Sequence, residues 1–215
     1  MYEKEKQELI ETARKMENYN LVKMSGGNVS LRMPNDLVLV TPSAMSYDTM
    51  VIDDIVVVDL KGNIVEGKRR PTSDLKAILY ILNNMPSVNA VIHTHQPNAT
   101  AFSLIEDKLP VISTTMVDEV KGAVNVAPFT ISSDEGMGIQ TVKYAGDALC
   151  VILKNHGIMA YGKSLEQALS AAVYLEETCD IYLKAVSTGK KIVELTKEQI
   201  EAEDKPRGNY GQYGG

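Results

Sequence analysis

The stretch AILYILNNMPSVNAVIHTHQPNATAFSLI, residues 77–105, contains no Lys, Arg, Asp or Glu. Its length suits a membrane span, but Pro86, Pro97, four Asn, a Gln and two His would all be costly in lipid. It divides instead into three pieces. A helix over 75–84 stops ahead of Pro86, a strand covers 89–95, and a short helix covers 98–104. Helix, strand and helix in so short a run read as layered α/β structure. An uncharged segment with two histidines at its centre also marks a buried site.

Outward from this segment the same alternation continues. Pro71-Thr72-Ser73-Asp74 reads as the helix start, with hydroxyl caps and an acid in the first turn. Upstream lie short β-rich runs at 29–31, 37–41, 55–60 and 63–65, preceded by an amphipathic helix over 3–19 that carries Leu9, Ile10, Ala13 and Met16. Downstream come strand candidates at 110–114 and 124–126 and a helix over 134–144. Two strands, 149–153 and 158–161, then flank the turn Asn155-His156-Gly157. Ser164 caps a long helix over 165–186, and a short helix covers 196–203. This pattern predicts a three-layer α/β/α sandwich around a mixed, mostly antiparallel sheet. One domain is expected over 1–205, followed by a mobile Gly/Tyr-rich tail over 206–215.

Composition narrows the partners. The 215 residues are 44% hydrophobic and 23% charged, enough apolar material for a real core. With 22 basic against 28 acidic residues the net charge is −6, which argues against nucleic acid as the main partner. It leaves room for a small anion, because a phosphate site needs only N–H groups and a hydroxyl or two. Cys150 and Cys179 are too few for a disulfide framework, and Cys150 sits in an apolar run. The opening Met1-Tyr2-Glu3-Lys4-Glu5-Lys6 is charged throughout, unlike a signal peptide. A soluble cytoplasmic protein with no membrane partner is expected.

Three histidines are present in all: His93, His95 and His156. In a strand, the spacing of His93 and His95 points both rings to one face. The turn at His156 can bring a third nitrogen, and three nitrogens with an open fourth position are the donor set of a catalytic zinc site. Satisfied core histidines would be the blander explanation, yet it would be odd for every histidine of the chain to be spent so. Asp74 could ligate the cation and act as base once substrate arrives. A helix cap is its ordinary alternative. Three turns rich in small residues and hydroxyls, Ser25-Gly26-Gly27-Asn28, Thr41-Pro42-Ser43-Ala44 and Thr72-Ser73, suggest a phosphate cradle.

Together, Ser25-Gly26-Gly27-Asn28-Val29-Ser30, Thr41-Pro42-Ser43, Pro71-Thr72-Ser73-Asp74, His93-Thr94-His95 and Asn155-His156-Gly157 resemble, in order, the motifs of the class II aldolase/adducin family. The resemblance covers about residues 5–185. It implies a zinc-dependent sugar-phosphate enzyme, one Zn2+ per subunit, with His93, His95 and His156 on the metal. Asp74 would be ligand and acid/base. Gly27, Asn28, Ser43, Ala44, Thr72 and Ser73 would bind the substrate phosphate. Ala44 departs from the glycine usual there. The family usually assembles as a homotetramer with active sites between subunits.

Two enzymatic branches follow from the resemblance. One cleaves a ketose 1-phosphate, L-fuculose 1-phosphate foremost, to dihydroxyacetone phosphate and L-lactaldehyde through an enediolate. The other is an L-ribulose-5-phosphate 4-epimerase, which breaks a like bond and re-forms it. His156 follows His95 by 61 positions, as in the compact aldolases, and Ala127-Pro128-Phe129 resembles the aldolase Ala-Pro-Tyr. Thr114-Thr115-Met116-Val117-Asp118 resembles an epimerase motif whose Asp is an acid/base, and Asp74 itself is the epimerase choice. The spacing concerns the framework, so the aldolase is expected. Tyr210, 54 positions beyond His156, matches a C-terminal catalytic tyrosine that reaches an adjoining subunit's site. An adducin-like scaffold without catalysis is the third possibility, and a complete histidine set speaks against it.

Overall fold

The computed structural model describes residues 1–205. Its frame is a nine-stranded sheet in the order β4-β3-β2-β1-β5-β9-β8-β7-β6. The strands are β1 (Asn28–Arg32), β2 (Leu37–Val40), β3 (Val56–Asp59), β4 (Ile64–Glu66), β5 (Ala90–Thr94), β6 (Lys108–Leu109), β7 (Val124–Ala127), β8 (Cys150–Leu153) and β9 (Gly157–Gly162). β7 and β8 run parallel and every other neighbouring pair is antiparallel. That is the mixed, mostly antiparallel sheet expected.

Period-two alternation sorts the strand residues onto two faces. Val29, Ala90, Ile92, Cys150, Ile152, Ile158 and Ala160 join one buried cluster with residues of α1 (Glu3–Asn18) and α5 (Leu165–Val186). The short helix α3 (Pro97–Ser103) adds Ala99 and Phe102 to that layer. Val38, Val40, Val91, Val151, Met159 and Tyr161 join the other, with α2 (Leu75–Asn84) and α4 (Gly136–Tyr144). The sandwich therefore has three layers. The uncharged run 77–105 is α2, β5 and α3, the middle of this core. Among the described residues no helix is long and apolar enough to cross a membrane.

Sequence and structure agree on α2 and α5 to the residue, and Ser164 caps α5 by accepting from the Gln167 N–H at 3.2 Å. They differ at 110–114, expected as a strand. The ladder ends at Leu109, since Pro110 has no N–H to donate. Ser113 Oγ then accepts from the Met116 N–H at 3.2 Å, and the chain winds into a single wide turn over Met116–Val120. A last helix, α6 (Lys197–Glu203), closes the described chain with a Thr196 cap.

Candidate metal centre and phosphate cleft

His93 lies near the end of β5, on the sheet face covered by α2. Its Nδ1 donates to the Ile158 carbonyl oxygen of β9 at 2.8 Å, which places the ring proton there and bares Nε2. Nε2 sits 3.0 Å from His95 Nε2. His156, in the β8–β9 turn, brings its ring to 4.8 Å from that of His93 and 5.1 Å from that of His95, centroid to centroid. One ligand atom from each of the three lies within 4.8 Å of the others. His93 is buried, His156 half-buried and His95 exposed, so the cluster opens on one side only.

Electrostatics keep these rings neutral. Burial pushes His93 down to about 4, with the neighbouring histidines adding to the effect and Asp74 opposing it. Desolvation lowers His95 and His156 as well. Neutral imidazoles with converging lone pairs fit a divalent cation, and an all-nitrogen set suits zinc among others. Asp74 Oδ2 stands 4.0 Å from His93 Nε2, so a carboxylate oxygen is within reach of the three nitrogens as a fourth donor.

The acid expected in the first turn of α2, Asp74, stands one position ahead of it and makes no side-chain capping bond. The Thr72 hydroxyl accepts from the Asp74 N–H at 3.3 Å instead, which frees the carboxylate to turn toward the histidines. There it accepts a hydrogen bond of 2.7 Å from Asn28 Nδ2.

Beside the histidines, glycine is required at two points. Gly27 has φ +75°, and a Cβ there would stand 2.3 Å from the His93 carbonyl oxygen. Gly157, directly after His156, would put a Cβ 2.1 Å from the Thr94 carbonyl oxygen. Both let a loop lie against β5 at the histidines.

A cleft of about 160 Å³ brings together Gly27, Ser43, Ala44, Thr72, Ser73, Asp74, His95 and His156. Its loops are tied: the Ser43 N–H donates to Arg70 O and the Thr72 N–H to Thr41 O, each at 3.0 Å. Ser43 and Thr72 therefore have hydroxyls to offer an anion. Among the described residues the N–H groups of Ala44 and Ser73 make no hydrogen bond within the chain. Larger grooves of about 530 and 490 Å³ run beside α5, but they hold no histidine and mix charges of both signs. Chemistry, not size, marks the site.

Three features escaped sequence reasoning. Ser132 and Ser133 line the same cleft; a hydroxyl doublet ahead of a helix, like Thr72-Ser73, was the available signal. Tyr47 is buried, and its hydroxyl lies 3.0 and 2.8 Å from the carbonyl oxygens of Gly26 and Gly27, to which it donates. Burial raises its pKa well above the usual range, with Glu17 and Asp74 adding to the shift. Asn28 contacts Asp74. Asp118 lies exposed on the turn Met116–Val120, not in the cleft of its own chain. Tyr210 lies outside the described residues.

A fold of this kind, with a three-histidine cluster beside a hydroxyl-lined cleft, defines a class of metal-dependent lyases. The family model "Class II Aldolase and Adducin N-terminal domain" matches residues 7–183, and the chain belongs to that family. It is 28% identical to a 5-deoxy-D-ribulose 1-phosphate aldolase of Bacillus thuringiensis over 213 residues, 99% of each chain. It is 31% identical to the L-ribulose-5-phosphate 4-epimerase UlaF of Salmonella paratyphi A over 229 positions, covering 98% of this chain and 99% of that one. A solved L-fuculose 1-phosphate aldolase superposes with a TM-score of 0.87 at 30% identity, covering 93% of both chains. The chain is thus an enzyme of the class II aldolase/epimerase superfamily.

Proposed function

We propose that this enzyme is an aldolase that cleaves a ketose 1-phosphate, L-fuculose 1-phosphate in the first instance, to dihydroxyacetone phosphate and L-lactaldehyde. The observation that carries it is three ligand nitrogens within 4.8 Å of one another beside a buried carboxylate. The alignment lengths favour cleavage over epimerisation. The match to the aldolase runs over 213 residues, whereas that to the epimerase runs over 229, longer than this chain, so the epimerase carries extra residues.

A divalent cation on His93, His95 and His156, zinc by donor type, would supply Lewis acidity for the charge left when the C3–C4 bond breaks. The protein's own groups do the rest. Hydroxyls of Ser43, Thr72 and Ser73 and the N–H groups of Gly27, Ala44 and Ser73 hold the phosphate, which aligns the bond to be broken. Asp74 takes the carbon-bound proton of dihydroxyacetone phosphate in the aldol direction.

A proton must also reach the aldehyde oxygen, and Tyr210 and Asp118 are assigned to that task. At about 160 Å³ the cleft falls below the ~300–1,000 Å³ of most ligand pockets, so further groups are needed to complete it. Phe129 and Ile131, 64% and 72% exposed beside Ser132, form an apolar rim that suits a second copy of the chain. A homotetramer with shared sites is part of the proposal, and sedimentation would test it.

Epimerisation of L-ribulose 5-phosphate is the second reading, favoured by Asp74 and by the 31% identity to UlaF. One comparison separates the two. Protein loaded with zinc is given L-fuculose 1-phosphate, 5-deoxyribulose 1-phosphate and L-ribulose 5-phosphate, and products are resolved. Release of dihydroxyacetone phosphate from a ketose 1-phosphate is expected. Epimer without cleavage would select the alternative.

A further inference from the structure

The amide of Asn28, grouped by its loop with the phosphate ligands, is committed elsewhere. We infer that Asn28 is a positioning residue for Asp74: its Nδ2 holds the carboxylate in line for proton transfer. This rests on the assignment of Asp74 as the base.

The register fixes the arrangement. Asn28 opens β1 and pairs directly with His93 of β5, so both side chains leave the sheet on the α2 face. Asp74 enters from the start of α2 between them. Its Oδ2 is 2.7 Å from Asn28 Nδ2 and 4.0 Å from His93 Nε2. Among the described residues Asn28 is the one hydrogen-bond donor to this carboxylate, which makes no cap to its own helix.

The chemistry of the amide points the same way. Only the nitrogen can donate, and one of its two N–H groups is given to the carboxylate. Facing Asp74, the amide is oriented nitrogen-first, because two acceptor oxygens would repel. A phosphate brought to the same nitrogen would stand against the Asp74 charge. Asn28 is 1% exposed, and among the described residues its buried Oδ1 has no hydrogen-bond partner. An orphaned buried acceptor is costly, and such groups persist where the other end of the side chain has a task. A carboxylate free to rotate toward the cation would lose its aim at the substrate carbon, and a misplacement near 1 Å costs roughly 100-fold in rate.

Turnover of L-fuculose 1-phosphate and binding of inorganic phosphate are measured for zinc-loaded wild type, Asn28→Ala, Asn28→Leu, Asp74→Asn, Ser73→Ala and the Asn28→Ala/Asp74→Asn pair. Asn28→Leu keeps the shape of the side chain and removes only its polarity. Both Asn28 variants should lose roughly 10- to 100-fold in kcat with KM and phosphate affinity within about threefold of wild type. Ser73→Ala should weaken phosphate instead. In the double variant the Asn28 change should cost little beyond Asp74→Asn alone. A tenfold loss of phosphate affinity with kcat intact in Asn28→Leu would overturn the inference, as would additive losses in the pair. Normal turnover of Asp74→Asn would overturn both this inference and the base assignment beneath it.

Discussion

His93 Nδ1 donates to the carbonyl oxygen of Ile158 at 2.8 Å, across the β5–β9 pair in the middle of the sheet. The bond lies between two central strands, so the ring cannot turn without giving up a buried hydrogen bond. Its Nε2 is therefore presented to His95 and His156 before any cation arrives. Elemental analysis of protein purified without chelator should find about one divalent metal per chain. His156→Ala should lower metal occupancy at least tenfold while the sheet survives, because the β8–β9 turn keeps its Gly157. A metal-free protein with full activity would dismantle the centre.

Acid should destabilise the metal-free fold through the same residue. His93 is held near 4, below the ordinary 6.5 of histidine, chiefly by burial. Between those values the unfolded chain binds a proton that the folded chain refuses, so stability rises with pH across that window. It is fully present above about 6.5 and falls away as the pH drops toward 4. Melting temperatures of the chelator-treated protein from pH 7.5 to 4 should fall, with a shallower slope in His93→Phe. A flat profile would mean that His93 is protonated in the fold.

Much of this was legible beforehand, and unevenly. Period-two and period-3.6 patterns located α2, α5 and the strands around His93, because burial on one face imposes them. The histidine trio was legible because few residue types can do that chemistry. The Asn28–Asp74 pair was not: its members are 46 residues apart and meet only through strand register. Tyr47 sits in an aperiodic loop, where nothing distinguishes a buried hydroxyl from an exposed one. At 110–114 a β-rich composition competed with Pro110 and the Ser113 hydroxyl, and the local hydrogen bonding won.

The Tyr47 hydroxyl ties the glycine loop to the loop that carries Ser43. Tyr47→Phe leaves the buried ring in place and removes its donation to the Gly26 and Gly27 carbonyl oxygens. The fold should lose about 1–2 kcal/mol, read from a urea midpoint. Inorganic phosphate should bind several-fold more weakly, because the loop is no longer clamped. Unchanged phosphate affinity would remove Tyr47 from the cradle.

The proton donor to the aldehyde oxygen divides the two reactions. Asp118 is exposed on its own chain, and a neighbouring copy would have to bring it to the cleft. Removing residues 206–215 should leave metal content and assembly unchanged and cut turnover at least tenfold, with Tyr210→Phe less damaging. Asp118→Asn should slow an epimerase more than an aldolase, a loss of ~10²–10⁴-fold being typical of an acid/base group. Full activity in all three variants would show that the donor lies elsewhere.

Ala44 is a cradle residue whose identity strains the backbone. It has φ +54°, in the left-handed region, where a Cβ costs an L-residue roughly 1–2 kcal/mol. Among the described residues its N–H finds no hydrogen-bond acceptor. The strained conformation is what leaves that N–H free to serve an anion. Ala44→Gly relieves the Cβ and gives the unfolded chain more freedom, which takes back roughly 0.4–1 kcal/mol. The net gain should be small, between zero and about 1 kcal/mol, read from urea denaturation. Phosphate binding should be kept or strengthened, since the N–H stays and nothing fills the space beside it. A clear loss of stability would mean that the loop is not held at positive φ in solution. A loss of phosphate affinity with stability intact would mean that the Ala44 methyl group, not its N–H, serves the ligand.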